Sequence, residues 1–195
     1  MSTRDKILAA VAASQPELVA LPDVSPLKID NENAVDQFIT TLTTIGGKVI
    51  AASGFDDIIA FVDATTTPDQ RVVTTLIELN EKVELINDSK VLPHTFHDVE
   101  LCILKAHLGV AENGAVWLKD DLVNHRVLPF ICQNLAVVVS KKSIVATMHH
   151  AYDVVGTESY GYGTFIAGPS KTADIEQSLV LGAHGSRTMT VFLVD

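Results

Sequence analysis

Two glycine-punctuated loops carry most of the chemistry this chain could perform. Residues 168–172 read Gly-Pro-Ser-Lys-Thr, and residues 182–187 read Gly-Ala-His-Gly-Ser-Arg. The first offers backbone N–H groups, the hydroxyls of Ser170 and Thr172 and the ammonium of Lys171, a set that suits an anion. The second joins His184, whose ring moves a proton near neutral pH, to Arg187, whose planar guanidinium grips a carboxylate or phosphate through paired hydrogen bonds. Gly185 lets backbone approach a ligand closely. Asp174 and Glu176, between the two loops, complete this candidate binding set. The plainer alternative is that Ser170 or Thr172 caps a following helix while Arg187 pairs with Asp174 or Glu176.

A third position is Glu112, in Ala111-Glu112-Asn113-Gly114 between two apolar runs. Its carboxylate could be a buried base, a nucleophile or a counter-ion to Arg126, Lys171 or Arg187. The plain reading is a solvated hairpin tip. Glu112 and His184 are therefore the catalytic candidates, with Arg126 added to the anion-binding set.

Familiar signatures are missing. A phosphate-binding P-loop needs glycine one and six residues before its lysine, and Lys171 has Ser170 and Phe165 there. Neither G-x-G-x-x-G after a strand nor a G-x-S-x-G elbow occurs. His94 and His97 lack the helical i,i+4 spacing of metal-binding histidine pairs, so Pro93–Glu100 is expected to be a solvated loop and no metal site is expected. Cys102 and Cys132 lie in apolar settings as small core residues, and two thiols fall short of the roughly four that an iron–sulfur cluster takes.

These loops need a scaffold, and the hydrophobic pattern supplies one. A helix is expected to about Ser14, with Ile7, Leu8 and Val11 on one face and Ser2 or Thr3 as cap. A proline-rich extended connector follows. A second helix after Asn31 or Asn33 stops at Gly46-Gly47. KVIAA reads as a short buried strand, GFDDIIAFVDA as a helix, TTTPDQRVVTTLIELN as a helix capped by Thr67 with Pro68 in its first turn, and KVELI as a strand. CILKAHLGVAENGAVWL reads as two strands around an Asn-Gly turn, and NLAVVVS as a strand buried on both faces. SIVATMHHAYDVV reads as a helix in which His149 and His150 point apart, GTFIAG and TMTVFLVD as the closing strands, and 174–181 as a short helix between them. Strands and helices alternating at this pitch imply an α/β protein, its mostly parallel sheet covered by helices on both faces. The expected division is 1–30 as N-terminal helix and connector and 31–195 as one α/β domain.

The totals narrow the function classes. The chain has 195 residues, 47% apolar and 19% charged, with 14 basic and 24 acidic residues and a net charge of -10. That composition favours a filled core, repels a polyanion and argues against nucleic-acid binding. No apolar run approaches the roughly 20 residues that span a bilayer, so a cytoplasmic protein is expected. A mean hydropathy of +0.28 is compatible with a buried interface such as a homo-oligomer's.

The run Gly168-Pro169-Ser170-Lys171-Thr172-Ala173-Asp174-Ile175-Glu176, then Gly182-x-His184-Gly185 before Arg187 and a last strand, resembles the LutC/YkgG-type lactate-utilisation proteins of the LUD-domain family. The likeness extends more loosely to AENGAVWL, Arg126 and Pro129. Asn113 stands where the family commonly has Thr, and Ser186 where it commonly has Pro. The resemblance implies a NagB/RpiA/CoA-transferase-like fold, shared with sugar-phosphate isomerases and formyltetrahydrofolate cyclo-ligases. It also implies a role in oxidising L-lactate to pyruvate beside iron–sulfur partner proteins, and with only two scattered cysteines here the expected part is that of a non-redox subunit or accessory protein. No cofactor is then expected on this chain, and its ligand would be a small carboxylate or phosphate. The alternative is a stand-alone isomerase, CoA-transferase or cyclo-ligase with Glu112 as nucleophile.

Overall fold

The structure, a computed structural model, describes residues 2–88, 90–157, 159–173 and 179–195. Its helices are α1 (Thr3–Ala13), α2 (Ala34–Thr44), α3 (Phe55–Thr65), α4 (Asp120–Val123), α5 (Leu128–Ile131) and α6 (Met148–Val155). Its strands are β1 (Lys48–Ala51), β2 (Arg71–Thr74), β3 (Glu84–Leu85), β4 (Val99–Lys105), β5 (Leu108–Val110), β6 (Ala115–Lys119), β7 (Asn134–Ser140), β8 (Ile144–Val145), β9 (Gly163–Ile166), β10 (Lys171–Ala173), β11 (Leu179–Leu181) and β12 (Thr188–Val194). β1, β12, β7, β4, β2 and β3 form one sheet in that order, every pair parallel. β8, β5, β6 and β9 form a second sheet, parallel between β5 and β8 and otherwise antiparallel. β10 and β11 make a separate antiparallel ribbon. The α/β class with a mostly parallel sheet holds.

The period-two alternation of strands sorts the core onto two faces. On one face Cys102, Leu104, Leu135, Val137, Val139, Met189, Val191 and Leu193 pack with Phe38 and Leu42 of α2 and with Val116 and Leu118 of the second sheet. On the other, Leu101, Ile103, Ala136, Val138 and Phe192 pack with Ile58 and Val62 of α3. Helices thus lie on both faces, but the second sheet shares one face with α2. Trp117, Leu108 and Ala151 form a third cluster between that sheet and α6.

Several sequence expectations meet the structure closely. Ser2 caps α1 in a capping box with Asp5, and α2 starts after Asn33 and ends where the Gly47 N–H bonds the Leu42 carbonyl at 2.9 Å. Asn113-Gly114 turns β5 into β6, the Gly114 N–H donating to Val110 at 2.9 Å. β7 is buried along its middle, as a central parallel strand must be. No residue of α1 is buried, and Ile7, Leu8 and Val11 are more than half exposed.

Others are corrected. The helix expected from Thr67 is a turn followed by strand β2. Thr67 binds the side chains of Asp69 and Gln70 locally, and the β-branched run Arg71–Thr74 then pairs with β4 and β3. The strand expected over CILKAHLGV is two strands, because the chain leaves the parallel sheet at Ala106 and enters the second sheet at Leu108. Ile144–Val145 is a strand and α6 begins only at Met148. Leu179–Leu181, expected in a short helix, is a strand; 174–178 lie outside the described residues. β1 is a half-exposed edge strand.

One surface network ties the β2 edge to the turn before β4. Arg71 donates to Glu84 at 2.8 Å and to Asp98 at 2.7 Å, and its hydrogen bonds hold both carboxyls below their usual range. A depressed carboxyl pKa adds stability that is present above the unfolded value, about 4, and is lost as pH falls through the folded one. Acidification from about pH 6 to 3 should therefore lower Tm more steeply in the wild type than in Arg71→Met, with the two curves converging at the acid end. Parallel curves in thermal melts would remove the network from the stability account.

Candidate functional site

The two glycine loops come together. The Ser170 N–H donates to the Ser186 carbonyl at 2.9 Å, and the Gly182 N–H donates to the Ser170 carbonyl at 3.1 Å. The ribbon of β10 and β11 enforces this, pairing Lys171 with Leu181, so the chain must return to where it left. Gly185 lies against Ser170 so closely that an added Cβ would sit 3.2 Å from the Ser170 Cβ. Gly182 adopts φ +82°, and an added Cβ there would meet the Arg187 Cγ at 2.3 Å. The missing side chain at Gly182 is what lets the Arg187 stem cross the loop.

Together the loops line a cavity of about 280 Å³. Its polar wall is Ser170, Lys171, His184 and the Gly185 backbone; its apolar wall is Phe165, Pro169 and, from α5, Pro129 and Phe130. Exposed His184 and partly exposed Ser170 suit a small anion here. The Lys171 ammonium is anchored on the Ile45 carbonyl at the C-terminal end of α2, where a cation also meets the helix dipole. Arg187 stands beside the cavity, its N–H fixed on the Gln133 carbonyl at 2.8 Å and its side chain exposed. Thr172 turns away, its hydroxyl donating to the Val180 carbonyl at 2.9 Å across the ribbon. Asp174 and Glu176 lie outside the described residues.

Two candidates lie elsewhere. Glu112 accepts the Met148 N–H at 2.8 Å at the start of α6 and lines a different cavity of about 460 Å³ with Asp30, Asn31, Gln37 and His149. Gln37 borders that cavity, whereas Ile45, eight residues on, holds Lys171. At 1.5 Å per helical residue the two sites are separated by roughly 12 Å along α2. Arg126 faces Asp120 at 3.6 Å and the Tyr162 ring at 5.4 Å. Of His149 and His150, the latter bonds Thr147 at 2.8 Å and Asp30 at 3.3 Å, tying the connector to α6. Another cavity, about 490 Å³ beside Arg71, Lys82 and Glu84, is rimmed by mutually paired charges and offers a ligand little. Among the described residues no group of three or more His, Cys, Asp or Glu is placed to hold a metal ion, and no helix is long and apolar enough to cross a membrane.

Sequence reasoning alone missed the wall from α5. Phe130 is 40% exposed, an unusual position for a large aromatic ring, and its neighbour Pro129 lies in a four-residue helix too short for any periodicity to announce. It also missed the carboxylate–imidazole pair His107 and Asp121, 2.8 Å apart, because 14 residues separate them and only the pairing of β5 with β6 brings them together.

An α/β scaffold whose two joined glycine loops follow a strand of the second sheet and precede a strand of the main sheet defines the class. A model of the LUD domain matches residues 77–194, more than half the chain, which therefore belongs to the LUD domain family. The chain is 32% identical over 92 residues to lactate utilization protein C of Oceanobacillus iheyensis, covering 44% of this chain and 40% of that one. It is 33% identical over 92 residues to that of Bacillus pumilus (44% and 38%), and 32% over 96 residues to that of Bacillus subtilis (46% and 40%). The matched region thus spans about two fifths of the length of these relatives. A crystal structure of a DUF162 family protein from Deinococcus radiodurans superposes with a TM-score of 0.60 at 15% identity, over 84% of this chain and 97% of that one, and so shares the fold.

Proposed function

We propose that this chain works in lactate utilisation as a non-redox subunit or accessory protein, beside partner proteins that carry iron–sulfur clusters. The observation that carries the reading is the joined pair of loops around His184 and Ser170, in a chain whose sequence relatives are lactate utilization C proteins. In this reading Arg187 draws a small carboxylate to the cavity mouth, Ser170 and the Gly185 backbone orient it, and His184 exchanges a proton with it. Lys171 acts chiefly by pinning its loop to α2, while its charge adds to the local positive potential. Electrons pass through the partners, since the two buried thiols of this chain cannot hold a cluster.

The test is genetic. Deletion should abolish growth on L-lactate and spare growth on glucose, and a His184→Ala/Arg187→Ala double variant should fail to restore it while melting within a few degrees of wild type. Full restoration by that variant would sink the role given to the loops.

One observation favours a second reading, a stand-alone enzyme of the acyl-transferase type: the Glu112 carboxylate is fixed by a backbone N–H and faces a cavity of its own. A CoA ester should then raise Tm in the wild type and not in Glu112→Gln. Equal shifts in both would dismiss it.

A further inference from the structure

A separate pocket opens on the α3 face of the main sheet, at the amino ends of its central strands, with a volume of about 180 Å³. Registers place its polar residues side by side: Lys48 of β1 pairs with Thr190 of β12, and Thr188 of β12 pairs with Asn134 of β7. All four belong to the strand positions that face α3, whose last turn roofs the pocket with Phe61, Thr65 and Thr66. Leu101 supplies apolar floor.

The hydrogen bonds there are unevenly spent. Asn134 is fully engaged, donating to the Glu100 carboxylate at 2.8 Å and accepting from the Thr188 hydroxyl at 2.7 Å. The hydroxyls of Thr65 and Thr66 donate back to the Phe61 and Val62 carbonyls at 2.7 and 2.8 Å, so only their acceptor lone pairs remain. Thr190 differs. It is 4% exposed, yet its hydroxyl makes no hydrogen bond among the described residues. No fully enclosed side-chain polar atom there goes without a partner, so this hydroxyl keeps its opening toward the pocket it lines. A hydroxyl on a pocket wall with no protein partner keeps both its donor and its acceptor capacity for whatever occupies the pocket.

We infer that this pocket binds a short-chain carboxylate that carries a hydrogen-bond donor beside its carboxyl group, a 2-hydroxy or 2-amino acid. The donors on offer are the Thr190 O–H and the Lys48 ammonium, adjacent across β1 and β12, and they suit a carboxylate. The acceptors on offer are the Thr65, Thr66 and Thr188 oxygens, beside the negative end of the α3 dipole, and they call for a donor on the ligand. Phe61 and Leu101 receive a small apolar substituent. Its volume of about 180 Å³ lies below the roughly 300–1,000 Å³ of pockets for drug-sized ligands, so it suits such a small molecule better than a nucleotide or a CoA ester. This ligand class is read from the pocket alone and does not rest on a role in lactate utilisation; the pocket shares no lining residue with the loop cavity.

Calorimetric titration of the full chain with L-lactate, L-alanine and propionate tests it. Lactate, alanine or both should saturate a site that persists when the loop cavity is disabled by His184→Ala/Arg187→Ala, with propionate, which lacks the donor, at least about tenfold weaker there. Saturation by lactate alone assigns a hydroxyl as the ligand's donor, and by alanine alone an ammonium. Thr190→Val and Lys48→Met should each weaken binding at this site about tenfold or more, and Lys142→Met, at a residue lining neither cavity, should leave it unchanged. Because the Thr190 hydroxyl has no protein partner to lose, unliganded Thr190→Val should melt at or above the wild-type temperature. Saturation by neither acid, equal binding of propionate, or wild-type affinity in Thr190→Val overturns the assignment. Loss of binding in His184→Ala with none in Thr190→Val also overturns it and moves the ligand to the loop cavity.

Discussion

Truncating Phe38 to alanine should cost about 3–5 kcal/mol, as removing a buried aromatic ring does when its surroundings relax only in part. Phe38 is fully buried, and its ring lies against Gly109 of β5 closely enough that an added Cβ there would fall 3.0 Å from it. That contact joins α2 to the second sheet, and α2 in turn carries the Ile45 carbonyl that anchors Lys171. A domain has only about 5–15 kcal/mol in all, so one substitution removes a large share and loosens the site as well. Denaturant unfolding should show the midpoint fall with little change of slope. A loss under about 1 kcal/mol would mean that α2 is held by something other than this ring.

Gly114→Ala should be nearly as damaging, for a different reason. Gly114 sits at φ +70°, where a side chain costs roughly 1–2 kcal/mol. An added Cβ would also meet the Leu42 Cα at 2.9 Å and its nitrogen at 3.0 Å. Those are helix backbone atoms that cannot swing aside, so α2 or the turn must shift at a further cost of about 1–3 kcal/mol. Gly54→Ala is the matched control, since an added methyl there meets nothing within 4 Å, and it should cost less than about 1 kcal/mol. Equal losses in the two variants would show that the packing of the turn on α2 is not what the glycine protects.

What the sequence revealed of this fold divides by the range of the forces involved. Elements set by local chemistry were legible: the Ser2 cap, the stop at Gly46-Gly47, the Asn113-Gly114 turn, the apolar run of β7. Arg71–Thr74 misled because Thr67 and Pro68 imitate a helix start, while β4 and β3, which make the segment a strand, are distant in sequence. The exit from one sheet and entrance into another at Ala106 to Leu108 left no mark in hydrophobicity, since both sheets share one core.

The candidate site shows the same division. That residues 168–171 and 184–186 would meet could be guessed from two dense loops flanking a short element, and the β10–β11 ribbon joins them. That Glu112 would face a different cavity could not, because its position depends on α6 and on residues 27–37. Lys171 read as a ligand group from its neighbours alone; its bond to Ile45, 126 residues earlier in the chain, gives it a positioning task no local pattern encodes. The pocket of Lys48 and Thr190 was hidden for a related reason, as it exists only where strands remote in sequence lie in register.

The central claim concerns partners, and one purification addresses it. The full chain, affinity-tagged and expressed from its own locus in its host, is recovered from cells grown on L-lactate, and the eluate is examined for visible absorbance and for bound proteins. Brown, cluster-bearing proteins at stoichiometric amounts, absent from glucose-grown cells, are the predicted result. A colourless chain recovered alone from lactate-grown cells would contradict the account.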